Sequence, residues 1–207
     1  PFLVAPAYQL LDSNLIDRWQ KYVNDGGNLI LTVRSGQKDR NGYFWEKPLS
    51  QPLYKLIGSE VSFFDVLSDS HKGKIDFNNK QYDWQMWGDV LNPYKGTEVL
   101  ATYADQFYKG KPCVVFHKMG KGSVTYIGID AKGDELEAEI IKTVFSKVNV
   151  GIEKLPEGLA MEWRDGFWLA MNYASNDVEV PCGINAKFIV GQKKLKTCDV
   201  AIWTDKK

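Results

Sequence analysis

The stretch that most constrains this chain is Gly26-Gly27-Asn28-Leu29-Ile30-Leu31-Thr32-Val33-Arg34-Ser35-Gly36. Leu29, Ile30, Leu31 and Val33 make a near-continuous apolar run, the pattern of a parallel strand covered on both faces. Upstream, Leu15, Ile16, Trp19, Tyr22 and Val23 recur at helical spacing, and Asp12 or Ser13 is placed to cap that helix. Gly26 and Gly27 stop it, because only glycine takes the left-handed geometry after a helix without a Cβ penalty. Phe2-Leu3-Val4-Ala5, closed by Pro6, is a second short apolar strand. Together these predict a β–α–β unit with a right-handed crossover. In open α/β sheets, ligand and partner groups gather beyond the carboxyl ends of the strands. That edge carries Arg34, Ser35, Gly36, Gln37, Lys38, Asp39 and Arg40. No cysteine or Gly-x-Ser-x-Gly elbow follows the strand, and no glycine-rich phosphate loop follows either apolar run. The unit reads as a scaffold.

The 207 residues suffice for one large domain, or a medium one plus a small one. Twenty-six basic and 26 acidic residues cancel, which argues against nucleic acid or an anionic membrane surface as the main partner. No apolar run approaches a membrane span. The chain opens at Pro1 already inside a strand, so both ends read as cuts in a longer polypeptide. Cys113, Cys182 and Cys198 are scattered and odd in number, which fits reduced core thiols and a cytoplasmic setting better than a disulfide framework. A Cys182–Cys198 bridge is the alternative.

Residues 37 to 47 read as a long loop holding Tyr43-Phe44-Trp45. These rings either pack on their own sheet or reach a partner, since long ordered loops are uncommon without a function. Ser50 is placed to cap a short helix that has Pro52 near its start and Gly58 at its end. Glu60 to Asp65 resembles a strand. Lys74 to Met86 reads as a hairpin around Asn78-Asn79, with Ile75 and Phe77 facing Tyr82, Trp84 and Met86. Trp87 to Pro93 breaks that pattern. Strands follow at Thr97 to Tyr103, Pro112 to Lys118 and Ser123 to Ile129, the last two joined by Met119-Gly120-Lys121-Gly122. Asp134 is placed to cap a helix carrying Leu136, Ile140, Ile141, Val144, Phe145 and Val148. Gly151 to Gly158 then reads as a linker. Beyond it lie only short strands: Leu159 to Trp163, a turn at Asp165-Gly166, Phe167 to Tyr173, Val178 to Pro181, Lys187 to Val190 and Val200 to Trp203. A domain boundary is expected between residues 150 and 158.

No constellation points to catalysis. Neither His71 nor His117 has a cysteine or histidine at metal-ligand spacing. Cys113 and His117, four apart on one strand, would share a face about 13 Å apart at ~3.3 Å per residue, too far for nucleophile activation. Asp39, Glu46, Asp65, Asp83 and Asp89 are available as acids, but no two are placed as a sugar-cleaving pair and solvated surface acids are the default. No cofactor is indicated. Aromatic residues reach 13%, with seven tryptophans, a composition shared by sugar platforms, interfaces and small cores.

Several stretches nevertheless resemble one family in order and spacing. They are Leu3-Val4-Ala5-Pro6-Ala7, Tyr22-Val23 with Gly26-Gly27, Leu31 to Gly36 with Lys38-Asp39, and Pro52 to Gly58. Trp87-Gly88-Asp89, Glu98 to Tyr103, and Gly120-Lys121-Gly122 followed by Tyr126-Ile127-Gly128 continue the series. The family is the central domain of glycoside hydrolase family 42 β-galactosidases, over roughly residues 2 to 150. A weaker match continues at Asp165 to Trp168 and Asn172-Tyr173.

The resemblance implies a class I amidotransferase-like (flavodoxin-like) parallel sheet with helices, followed by a small antiparallel β domain at 151–207. It implies a trimerisation role for residues 1–150, which would begin after that domain's first strand and helix. A (β/α)8 barrel upstream in the same polypeptide would hold the catalytic glutamates, and a galactoside would be a partner only through the parent enzyme. Arg34, Lys38, Asp39, Tyr43, Phe44, Trp45 and Trp87 are the expected interface residues, with Arg40 as a further polar contact. Two competing readings stand beside this one. A carbohydrate-binding module would use Trp45, Trp84 or Trp87. An amidotransferase-like enzyme would need a cysteine after Val33, where Arg34-Ser35-Gly36 stands.

Overall fold

Strand β1 (Phe2–Ala5), helix α1 (Ser13–Asn24) and strand β2 (Asn28–Thr32) form the expected β–α–β unit, with β1 and β2 parallel from Phe2↔Asn28 to Ala5↔Leu31. Asp12 caps α1, its Oδ1 accepting from the Leu15 amide at 2.7 Å, and Gly26 beyond the helix end takes φ +112°. Both faces of β2 are covered. Leu29 and Leu31 pack with Trp19 and Val23 of α1, while Ile30 joins the core on the opposite side. The computed structural model describes residues 1–205 except 69 and 134, so the expected cap at Asp134 lies outside the described residues.

A 3-10 turn over Gln51–Leu53 leads into helix α2 (Tyr54–Ile57), which Gly58 closes at φ +68°. Ser50 is not its side-chain cap. It sits in the left-handed region and its Oγ donates to the Ser35 carbonyl at 2.8 Å, strapping this segment to the end of β2. Strand β3 (Ser59–Val66) follows, then the hairpin of β4 (Gly73–Phe77) and β5 (Lys80–Pro93). Asn78 and Asn79 both take positive φ, as a two-residue hairpin turn of the I′ type requires.

The expected break after Met86 is corrected: β5 runs on to Pro93. Met86 takes φ +57° and the pairing with β9 is irregular between Trp84 and Gly88, so the strand bends without ending. Its first half pairs with β4 and its second half with β3. Met86 accordingly leaves the buried face of the hairpin and is exposed.

Strands β6 (Glu98–Tyr103), β7 (Pro112–Met119), β8 (Gly122–Ile127) and β9 (Ile129–Ala131) and helix α3 (Glu135–Lys147) complete this part. The nine-stranded sheet has the order β1-β2-β8-β7-β6-β4-β5-β3, with β9 on β5. Only β1, β2 and β8 run parallel. From β8 outward every pairing is antiparallel, because tight turns such as Gly120-Lys121 can join only antiparallel neighbours. The sheet is therefore mixed, with an amidotransferase-like parallel part. Leu136, Ile140 and Val144 of α3 cover one face and α1 and α2 the other.

The chain divides into two units, Pro1–Val150 and Gly151–Lys207. In the second, β10 (Leu159–Arg164) and β11 (Phe167–Asn172) form a hairpin through Asp165-Gly166. Strands β12 (Val178–Glu179), β13 (Ala186–Val190), β14 (Lys194–Leu195) and β15 (Val200–Asp205) follow. They make a four-stranded antiparallel sheet, β10-β11-β15-β13, and a two-stranded one, β12-β14. The two-residue β14 is too short to give a period in the sequence. Trp203 is fully buried at the centre of this small core, stacked with Trp168 and tilted against Phe188. All three cysteines are free, so the Cys182–Cys198 alternative is not realised. Only Cys113 is buried, and Cys198 is exposed, which corrects the expectation of three core thiols. Among the described residues, no helix is long and apolar enough to cross a membrane.

Candidate functional site

Beyond the carboxyl end of β2 the backbone turns sharply. Arg34 takes φ +66°, and Gly36 takes φ +72° where a Cβ would come within 2.5 Å of Leu53 and 2.8 Å of Leu11. The Ser35 hydroxyl is fully buried, donates to the Thr32 carbonyl at 2.7 Å and accepts from the Tyr8 amide at 3.2 Å. Where an α/β enzyme presents a nucleophile on a strained turn, this chain presents an arginine and a serine occupied in holding the turn.

Arg34 faces Trp87, its guanidinium carbon 5.0 Å from the ring centre. Trp87 in turn stacks on Phe64 at 4.2 Å and donates through Nε1 to Asp89 at 2.8 Å. Asp89 has no solvent exposure, and Tyr126 donates to its other oxygen at 2.6 Å. Burial raises the Asp89 carboxyl above the usual carboxylate range. The Tyr126 hydroxyl, the Trp87 indole, and the backbone and charge of Arg34 pull the other way. Burial and the adjacent Asp89 likewise push the Tyr126 phenol well above its ordinary value. Asp89 thus corrects the expectation of a solvated surface acid. It follows Gly88 and precedes Val90-Leu91, so its signature is a lone carboxylate in an apolar run, weak without knowing that β5 continues there.

The 37–47 segment is not an open loop. Lys38 bridges Phe44 in antiparallel fashion and Leu10 in parallel. The Asp39 carboxylate accepts from the amides of Asn41 and Tyr43 at 2.9 and 3.0 Å, closing a tight turn of its own. Lys38 lies over the Phe44 ring at 5.2 Å, and Arg40 pairs with Asp12 at 2.7 Å. An open crevice of about 510 Å³ lies between Tyr8 and Leu10 on one side and Lys38, Arg40 and Gly42 on the other.

Of the sequence-derived interface residues, the structure brings together Arg34 with Trp87, and Lys38, Asp39, Tyr43 and Phe44 in one small hairpin. Tyr43 and Phe44 are 72% and 61% exposed. Trp45 is half-buried against the core of α1 and α2. Trp84 is fully buried, which removes it as a sugar platform, and Trp87 is half-buried and pinned by Asp89.

Cys113 and His117 do not share a face. The pairing of β7 with β6 shifts at Cys113, which packs toward α3, while the His117 imidazole lies against Gly58 and 3.2 Å from the Thr97 hydroxyl. Among the described residues no group of three or more His, Cys, Asp or Glu is arranged to hold a metal ion.

Residues 1–150 match the family described as the β-galactosidase trimerisation domain. The chain belongs to this family. Beta-galactosidase BgaH of Haloferax lucentense is 28% identical over 201 residues, 97% of this chain and 30% of that protein. Beta-galactosidase BgaA of Clostridium cellulovorans is 31% identical over 180 residues, 86% of this chain and 27% of that protein. Among solved structures, a β-galactosidase of Halorubrum lacusprofundi superposes over 99% of this chain and 31% of its own, with TM-score 0.85 at 25% identity. The β-galactosidase of Bacillus circulans sp. alkalophilus gives 0.83 at 22%, over 98% of this chain and 32% of its own. The chain thus spans about 30% of the length of the relatives it matches. The trimerisation-domain fold is the mixed sheet described above, and its turn after β2 carries Arg34 in place of a nucleophile.

Proposed function

We propose that this chain is the non-catalytic assembly region of a larger β-galactosidase. In this reading it holds copies together as a trimer, and a catalytic (β/α)8 barrel elsewhere in the polypeptide cleaves the galactoside. The match of residues 1–150 to the trimerisation domain carries the reading. The chemistry of the turn after β2 supports it: Ser35 is inaccessible and its hydroxyl already bonded, and Arg34 is held by Trp87 and Asp89.

Tyr43 and Phe44 are the contact rings of the 37–47 hairpin, which half-buried Trp45 anchors to the core of α1 and α2. Their exposure beside Arg40 gives the aromatic-plus-arginine composition enriched at interface centres. Sedimentation equilibrium of the intact polypeptide tests this. A trimer is expected, and Tyr43→Asp with Phe44→Asp should weaken it by about tenfold or more. A monomer at tens of micromolar would sink the assembly reading. Residues 1–207 alone should not hydrolyse a chromogenic galactoside. Turnover above background that vanishes when one acid of this chain is changed would overturn the non-catalytic assignment.

A further inference from the structure

Strand β3 ends the sheet, paired with β5 on one side only. Natural edge strands are usually short, charged or covered, since a bare edge invites pairing with another chain. This one has a register shift between Val61 and Phe63 and the acids Glu60 and Asp65, yet it is eight residues long and carries exposed rings on both faces. On one face Phe63 stacks on Phe107 with ring centres 5.8 Å apart and planes 9° apart, and Phe107 is 87% exposed. Tyr108 meets both rings edge-on and donates its hydroxyl to Asp65, which fixes the group. On the other face Phe64 lies flat on Trp87, which Asp89 and Arg34 also hold, with exposed Val66 two residues along the strand.

Phe63 and Phe107 leave roughly 250 Å² of apolar surface on one face, and Phe64 with Val66 roughly 170 Å² on the other, taking ~200 Å² for a fully exposed aromatic side chain. A stable interface buries about 800 Å² per partner, so a contact that wraps this edge and takes both faces would draw about half of one side from these four residues. The phenyl rings are already packed on Tyr108 and Trp87, which are themselves hydrogen-bonded in place, so little side-chain freedom is lost when the rings are covered.

A closed ring of three is built from heterologous contacts, in which two different surfaces of each copy meet. The 37–47 hairpin offers one such surface, and the β3 edge is an aromatic surface on a different element. We propose that the aromatic edge of β3 is the second face of the ring contact, docked by a neighbouring copy of this chain. This rests on the assembly reading above. The family described by trimerisation names a further copy as the occupant.

Sedimentation equilibrium of the intact polypeptide carrying Phe63→Asp with Phe107→Asp, and separately Phe64→Asp, tests it. Each variant is expected to associate about tenfold or more weakly than the wild type, with unchanged far-ultraviolet circular dichroism. Phe107→Asp alone, whose ring stands almost wholly in solvent, keeps the test readable if Phe63→Asp disturbs the fold. Mixing a β3-edge variant with the Tyr43→Asp, Phe44→Asp protein should give a one-to-one dimer, because each retains the face the other lacks. Wild-type and β3-edge proteins that are equally trimeric would overturn the inference and leave the assembly reading standing. So would a trimer of unchanged strength that merely melts at a lower temperature, since the rings would then pack on another part of the same polypeptide. A monomeric wild type would remove the assembly reading itself, and this inference with it.

Discussion

A carboxylate without solvent contact is stable only to the degree that its donors replace water. Asp89 has Tyr126 and Trp87 as side-chain donors and Arg34 as its nearby cation, yet burial still raises its carboxyl. With the folded value above the unfolded one, the stabilisation from Asp89 is complete below the ordinary carboxylate value of about 3.9. It is lost as pH rises through the raised value. Asp89→Asn should therefore flatten the rise in stability on acidification, as read by urea unfolding at a series of pH values. An unchanged slope would place the pH dependence elsewhere. Tyr126→Phe removes a donor that lies wholly inside the core and should cost about 1–3 kcal/mol at neutral pH. These roles were not legible beforehand. Asp89 and Tyr126 are 37 positions apart, and no local period links a carboxylate on β5 with a phenol on β8.

Elements with strong local signals emerge where the sequence places them. The apolar run of β2 needs cover on both faces, and α1 and α3 supply it from opposite sides. Leu31 is fully buried, so Leu31→Ala should destabilise by about 2–5 kcal/mol, measured by chemical denaturation. A loss below about 1 kcal/mol would mean that the strand's packing has been misjudged. The Asn78-Asn79 and Asp165-Gly166 hairpins are equally local, because their backbone angles are set by residues that tolerate positive φ. The course of β5 is different. Met86 in a left-handed conformation is costly by itself, and only pairing with β3 and β9 on either side of the bend compensates for it. The 37–47 hairpin is also non-local: its lysine bridges Leu10, a residue of the segment after β1. Ser50 shows the same limit, since a serine before Gln51-Pro52 reads as a cap until Ser35 is found beside it.

At the scale of the molecule, the stretch from Gly151 to Gly158 should be the first site of limited proteolysis, because it has no regular structure and most of it is exposed. Early cleavage inside Asn28 to Val33 would contradict the buried placement of β2. What the sequence by itself determined is the set of short-range outcomes: the β–α–β start, the turns at glycine and asparagine, and the short strands after Gly158. Each follows from backbone sterics and side-chain periodicity within a dozen residues. Only the tertiary structure decided that the sheet is parallel for three strands and antiparallel beyond them, that Asp89 is buried, and that Trp84 is core. The same holds for Phe63, Phe64 and Phe107, which it left at an open edge. The physical reason is that burial is a property of the neighbours a residue acquires. Tryptophans at 84 and 87 on one strand read alike in sequence until β4, β3 and Arg34 settle what covers each.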